Sequence, residues 1–200
     1  MTPILRALAA HARDRDTEYM PHGFLFVDEA NLYLAANNEG WEIDWGRFLQ
    51  HLSSTFSVER AFLYEGMPTE RSILVGAPHA TGDDIARIKH EKTARFRELR
   101  AYGYTVRHKP VATIHGSNKC NFDVELTIDA IDQVASYDAF ILASGDGGFI
   151  RLVKYVRGCG KEVHVIGPSK ANRQLRMEAR GNFHSIDGMR SHISKKQARL

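Results

Sequence analysis

The chain has 200 residues, 43% of them hydrophobic and 26% charged, a balance that suits one globular domain with a sizeable core. No apolar run is long enough for a transmembrane helix, and the N-terminal stretch MTPILRALAAHARDR is too briefly apolar for a signal peptide. Two cysteines, Cys120 and Cys159, make no disulfide framework and point to a cytoplasmic protein with reduced thiols, while a net charge of +3 names no partner by itself.

Residues 2 to 15 set Ile4, Leu5, Leu8 and Ala12 on one side of a short helix. Residues 23 to 27 are a continuous apolar run, the mark of a strand buried on both faces, and the run stops at Asp28. A helix is predicted over residues 44 to 54, with Asp44 as N-cap and Phe48, Leu49 and Leu52 as its apolar stripe. Residues 58 to 64 read as a second strand. Residues 65 to 81 hold two prolines and two glycines and read as loop, with a short strand at 72 to 75. A long helix follows over 83 to 101, with Asp83 and Asp84 at its positive end and Gly103 as its stop. Residues 104 to 108 form a strand, and 110 to 121 a loop or short extended segment. Helix resumes near Asp123, with Leu126, Ala130 and Val134 along one face. Residues 139 to 143 and 162 to 166 are strands, separated by a helix over 148 to 157 that ends at Gly158. A helix near 170 to 179 and a strand at 183 to 186 close the domain. Strands alternate with helices almost throughout, which predicts an α/β fold with a mainly parallel sheet covered on both faces. The chain divides into a helical extension (1–22), one domain (23–187) and a basic tail (188–200).

In an open parallel sheet, ligands bind beyond the C-terminal ends of the strands. Asp28 directly follows the first strand, and Asp146 follows the strand at 139 to 143 after Ser144-Gly145. Asp123 opens a helix, and its convergence with the other two is an inference. Clustered carboxylates repel one another, and a hard divalent cation relieves that cost. Oxygen-only ligands favour Mg²⁺ or Mn²⁺. Any one of these acids alone reads better as a helix or turn cap.

Three segments resemble the signatures of the NYN domain family, the LabA-like members of the PIN-like nuclease superfamily. They are Phe26-Val-Asp28-Glu-Ala-Asn31-Leu, Lys119-Cys-Asn-Phe-Asp123-Val-Glu-Leu and Ser144-Gly-Asp146-Gly-Gly-Phe149. The resemblance runs from about residue 23 to 186. It implies a PIN-like three-layer sandwich with a central, mainly parallel sheet and helices on both faces. It also implies metal-dependent cleavage of RNA phosphodiesters, with Asp28, Asp123 and Asp146 holding the metal. Asn31 matches the family's asparagine and is expected to orient Asp28 or a metal-bound water. Ser144 is expected to offer its hydroxyl and backbone N–H to a phosphate, and Lys119 its charge to the same group. One position departs from the pattern: Gly148 stands where the family usually has a second aspartate, which weakens any second metal site.

The remaining candidates rank lower. Asp129 lies six residues beyond Asp123, off its helix face, and Asp132 reads as a surface charge. The ten histidines have no His-x-x-x-His spacing, and His164 reads as a satisfied core residue. Gly145, Gly147 and Gly148 are candidates for cradling a phosphate at a helix N-terminus, without the lysine of a P-loop. Trp45 and Tyr64 read as core, and Tyr33 as the best base-stacking candidate. On the helix at 83 to 101, Lys89, Lys92 and Arg100 share a sector with Arg95 at its edge, and Ile85, Ile88, Phe96 and Leu99 lie opposite. That basic face is expected to track an RNA backbone. The leading expectation is an endoribonuclease. A non-catalytic RNA-binding module and a small-substrate phosphatase are the alternatives.

Overall fold

The computed structural model describes residues 22–195; the predicted helix at 2 to 15 and the last residues of the basic tail lie outside them. Six parallel strands form the central sheet: β1 (Gly23–Asp28), β2 (Val58–Met67), β3 (Tyr104–Pro110), β6 (Ala139–Ala143), β7 (Glu162–Gly167) and β8 (Phe183–Ser185). Their spatial order is β3-β2-β1-β6-β7-β8. The chain therefore builds outward from β1 in one direction, then returns to its other side and builds outward again. The reversal falls between β1 and β6, the place where such sheets leave a crevice at their C-terminal edge.

Alternation along the strands sorts the core into two layers. Leu25, Val27, Ala61, Leu63, Ile141, Ala143 and Ile166 face one side. There they meet α1 (Glu29–Asn38), α2 (Trp45–Phe56), α4 (Gly82–Ala101) and α8 (Ile186–Ile193). Phe24, Phe26, Phe62, Tyr64, Phe140, Leu142 and Val165 face the other, against α5 (Asp123–Asp132), α6 (Ile150–Gly158) and α7 (Arg173–Glu178). Period-two alternation of uniformly apolar residues is what a strand buried on both faces requires. The α/β reading with helices on both faces is thus borne out.

The predicted caps also hold. The Asp44 carboxylate accepts the Arg47 N–H at 3.0 Å, and Phe48 and Leu52 are fully buried. Gly103 takes φ +109°, the left-handed turn that ends α4. Three local readings differ from expectation. Residues 72 to 75 are not a strand but part of a helix, α3 (Glu70–Gly76). The Thr69 and Ser72 side chains cap its first turn reciprocally, which outweighs the β preference of Ile73, Leu74 and Val75. The segment at 110 to 121 folds into a two-stranded antiparallel hairpin, β4 (Ala112–Ile114) and β5 (Ser117–Lys119), turned by His115 and Gly116 with positive φ. The stretch predicted as tail from residue 188 is helical through α8, whose Ile186 and Ile193 are fully buried.

Candidate active site

The site forms at the C-terminal edge of β1 and β6. Asp28 is both the last residue of β1 and the N-cap of α1, where Oδ1 accepts the Asn31 N–H at 3.4 Å. Its Oδ2 accepts the Ser144 hydroxyl at 2.9 Å. That hydroxyl in turn accepts the Asp146 N–H at 3.1 Å, so one buried oxygen ties the two acids together. Asp146 caps the turn that follows, with Oδ1 accepting the Gly148 N–H at 2.8 Å. Asp123 begins α5, held by Asn121: its N–H donates to Asn121 Oδ1 at 2.6 Å, and its Oδ2 accepts from Asn121 Nδ2 at 2.9 Å.

Asp123 and Asp146 approach one point, and Asp28 is near enough for their charges to act on it. A Cβ at Gly148 would lie 3.5 Å from Asp123 Oδ2 and 3.5 Å from Asp146 Oδ1. Burial pushes the Asp28 carboxyl above its ordinary range, and the charges of Asp123 and Asp146 push it further. The Ser144 hydroxyl and the Asn31 N–H pull against that rise. Among the described residues there is no ready-made group of three or more His, Cys, Asp or Glu side chains for a metal ion. The acids form an open cluster instead. Its donors are all oxygen, and among the described residues no ion pair reaches any of the three acids, a combination that suits a hard divalent ion keeping several waters.

The structure gives several residues roles other than those expected. Ser144 is fully buried and its hydroxyl is spent on Asp28 and Asp146, so it positions the acids and does not face a phosphate. The Asn31 amide oxygen accepts the Gly145 N–H at 2.8 Å, so the side chain braces the Asp146 loop, while the contact with Asp28 is made by the Asn31 backbone N–H. Gly145 and Gly147 are packing glycines. A Cβ there would sit 2.9 Å from Pro168 Cδ and 2.6 Å from Asn172 Nδ2 respectively. Lys119 is exposed on β5 and enters no ion pair among the described residues. Asp129 is taken by the Tyr64 hydroxyl at 2.8 Å and Arg107 Nε at 3.0 Å, a structural role. Trp45 and Tyr64 are core, and Tyr33 is 44% exposed.

The largest departure concerns the basic helix. Arg95 reaches Glu29 Oε1 at 2.9 Å and Glu65 Oε1 at 2.8 Å, and Lys92 also pairs with Glu65. Glu65 is only 4% exposed and Glu29 is 7% exposed. Burial, and then the charge of Glu65, pushes the Glu29 carboxyl up, while Arg95 and Lys92 oppose that. Lys92 and Arg95 are therefore committed to an internal ion network that straps α4 across the ends of β1 and β2. They are not a free phosphate track. Sequence reasoning overlooked this network, although acids placed directly after Asp28 and Tyr64, opposite basic residues three apart, were its signal.

The NYN domain model matches residues 24–187. Low amplitude and bright protein LabA of Synechococcus elongatus is 30% identical over 183 residues, 86% of this chain and 87% of that one. Among solved structures, a protein of unknown function from Vibrio parahaemolyticus is 25% identical with a TM-score of 0.67, covering 90% of this chain and 99% of the other. A T5 5′-exonuclease with bound zinc ions is a more distant likeness, with a TM-score of 0.47 and 14% identity over 76% of this chain and 57% of that one.

Proposed function

The chain belongs to the NYN domain family, and from that premise we propose that it is a metal-dependent endoribonuclease. The supporting observation is the convergence of Asp28, Asp123 and Asp146 at the crevice between β1 and β6, with two of their oxygens facing the same open point beside Gly148. In this reading Asp28, Asp123 and Asp146 hold Mg²⁺ or Mn²⁺. Such an ion, when bound, lowers the pKa of a water and polarises a phosphate oxygen. Hydrolysis of the phosphodiester then leaves a 5′-phosphate and a 3′-hydroxyl.

The chain's own residues set the geometry. The Ser144 hydroxyl holds Asp28 Oδ2 and the Asp146 backbone at a fixed separation. Asn31 fixes Gly145, and Asn121 fixes Asp123, so each acid is held through a neighbour that does not itself react. Preorganisation of this kind spares reorganisation during reaction. Asp28 acts as a ligand only when ionised. Burial works against that ionised form, and the Ser144 hydroxyl and Asn31 N–H favour it. Lys119, exposed on β5, supplies charge to a bound phosphate in this reading, and Tyr33 offers a face for a base.

A second reading, an RNA-binding module without catalysis, is favoured by Gly148 and by the open spacing of the acids. Incubating a panel of 5′-labelled RNAs with wild type and Asp146→Asn, with Mn²⁺ or with EDTA, separates the two. Cleavage that needs both the metal and Asp146 supports the nuclease. Binding with no cleavage at saturating Mn²⁺ supports the second reading.

A further inference from the structure

Four histidines outside the carboxylate site are arranged as two pairs, and both pairs join the C-terminal unit of β8 and α8 to the rest of the domain. His164 on β7 faces His184 on β8, with Nδ1 and Nε2 3.4 Å apart. The ring of Phe56, at the end of α2, lies against both imidazoles, at 4.8 Å and 5.0 Å between ring centres. On the same side of the sheet, His51 of α2 stacks on His192 of α8, with ring centres 5.0 Å apart and planes 15° from parallel.

We propose that these two pairs are a proton-sensitive latch: as neutral rings they hold β8 and α8 on the domain, and as charged rings in mildly acidic solution they push that unit away.

The charged groups around each pair determine how it responds. Glu162, on the same strand as His164, contacts its Nε2 at 3.0 Å. That carboxylate accommodates one proton on His164, but the second proton, on His184, then meets a like charge, and among the described residues no carboxylate pairs with His184. Near the other pair, Arg47 lies in the same cleft and donates to the backbone carbonyls of Ser191 and Ser194. It adds positive charge beside His51 and His192, and no carboxylate among the described residues pairs with either ring. Ser191 Oγ, 3.2 Å from His192 Nδ1, is neutral.

Burial holds His51, His164 and His184 below the ordinary imidazole value. The facing ring adds to this for His51 and His184, and Glu162 opposes it for His164. With the folded values of these three depressed, the unfolded chain binds more protons in this window. The stability that His51, His164 and His184 contribute as neutral rings is then complete above the ordinary histidine pKa and is lost as pH falls below it. Asp187, at the start of α8, does not titrate there. Burial pushes it up, but hydrogen bonds from Ser169 and Ser185 hold it below its ordinary carboxylate value.

The test is amide hydrogen exchange on the full chain, corrected for intrinsic rates, at about pH 7.5 and about pH 5. Acidification is expected to reduce protection of β8 and α8 amides about tenfold more than that of β1 and β6. In the His184→Gln/His192→Gln double variant, this regional excess is expected to vanish. His192→Gln alone, at an exposed position, is expected to remove part of the excess, and it serves if the double variant does not fold. The latch is overturned if wild type loses protection evenly across the sheet, or if the variants keep the full regional loss.

Discussion

Gly148→Asp probes the candidate site most directly, because the structure shows where the new side chain goes. The φ of Gly148 lies outside the left-handed region, and its Cβ meets nothing closer than ordinary contact. The substitution therefore carries no built-in backbone strain. It does place a carboxylate among acids, since Asp123 Oδ2 and Asp146 Oδ1 are each 3.5 Å from that Cβ. At this exposed edge each like-charge neighbour costs about 1 kcal/mol, so the metal-free variant should lose about 2 kcal/mol. For a chain of this size that is a fall in Tm of about 4–8 °C. A divalent ion at about a hundred times its Kd restores about 2.7 kcal/mol. The variant should therefore melt below wild type in EDTA and recover disproportionately in Mn²⁺. Thermal melts of both proteins in each condition provide the assay. If the variant melts with wild type in EDTA, the acids do not face residue 148. A lowered Tm that Mn²⁺ leaves unrestored would mean that these oxygens are not ligands.

Three further outcomes are expected. Calorimetric titration with Mn²⁺ should show weaker binding to Asp146→Asn than to wild type, and equal affinity would remove Asp146 from the site. Ser144→Ala should cost about 1–3 kcal/mol in denaturant unfolding, because it strips a buried carboxylate oxygen and a backbone N–H of their shared partner. It should also raise the Asp28 pKa further, since the hydroxyl favours the ionised form, and so shift the acid limb of any Asp28-dependent activity to higher pH. Lys92→Glu should destabilise the fold by about 3–5 kcal/mol by leaving buried Glu65 facing a like charge, whereas Lys89→Glu, on the same helix but outside the ion network, should stay within about 0.5 kcal/mol. Equal stability of these two variants in urea would refute the network's structural role.

Much of the candidate site was legible because its parts are local. Asp28 ends an apolar strand, Asp146 follows another after a serine-glycine step, and Asp123 opens a helix; each is visible in the order of residues alone. The roles of Ser144 and Asn31 were not legible. A hydroxyl or amide has the same sequence signature whether it faces a phosphate or a neighbouring acid, and only the meeting of β6 with β1 turns them toward Asp28 and Gly145. The basic face of α4 was misread for a related reason. Helical spacing tells which side chains share a sector, but the acids that claim Lys92 and Arg95 come from the start of α1 and from β2, 27 to 66 positions away.

The sequence by itself determined the parallel α/β framework, because continuous apolar strands alternating with amphipathic helices have few other ways to bury both faces. It also determined which acids stand at strand and helix ends. Tertiary structure alone decided which charges are free and which are spent. It paired Glu65 with Lys92 and Arg95, Asp129 with Tyr64 and Arg107, and the histidines of β8 and α8 with those of β7 and α2. The physical reason is that a buried charge must find a partner through space, and the partner's distance along the chain has no bearing on the energy of the pair.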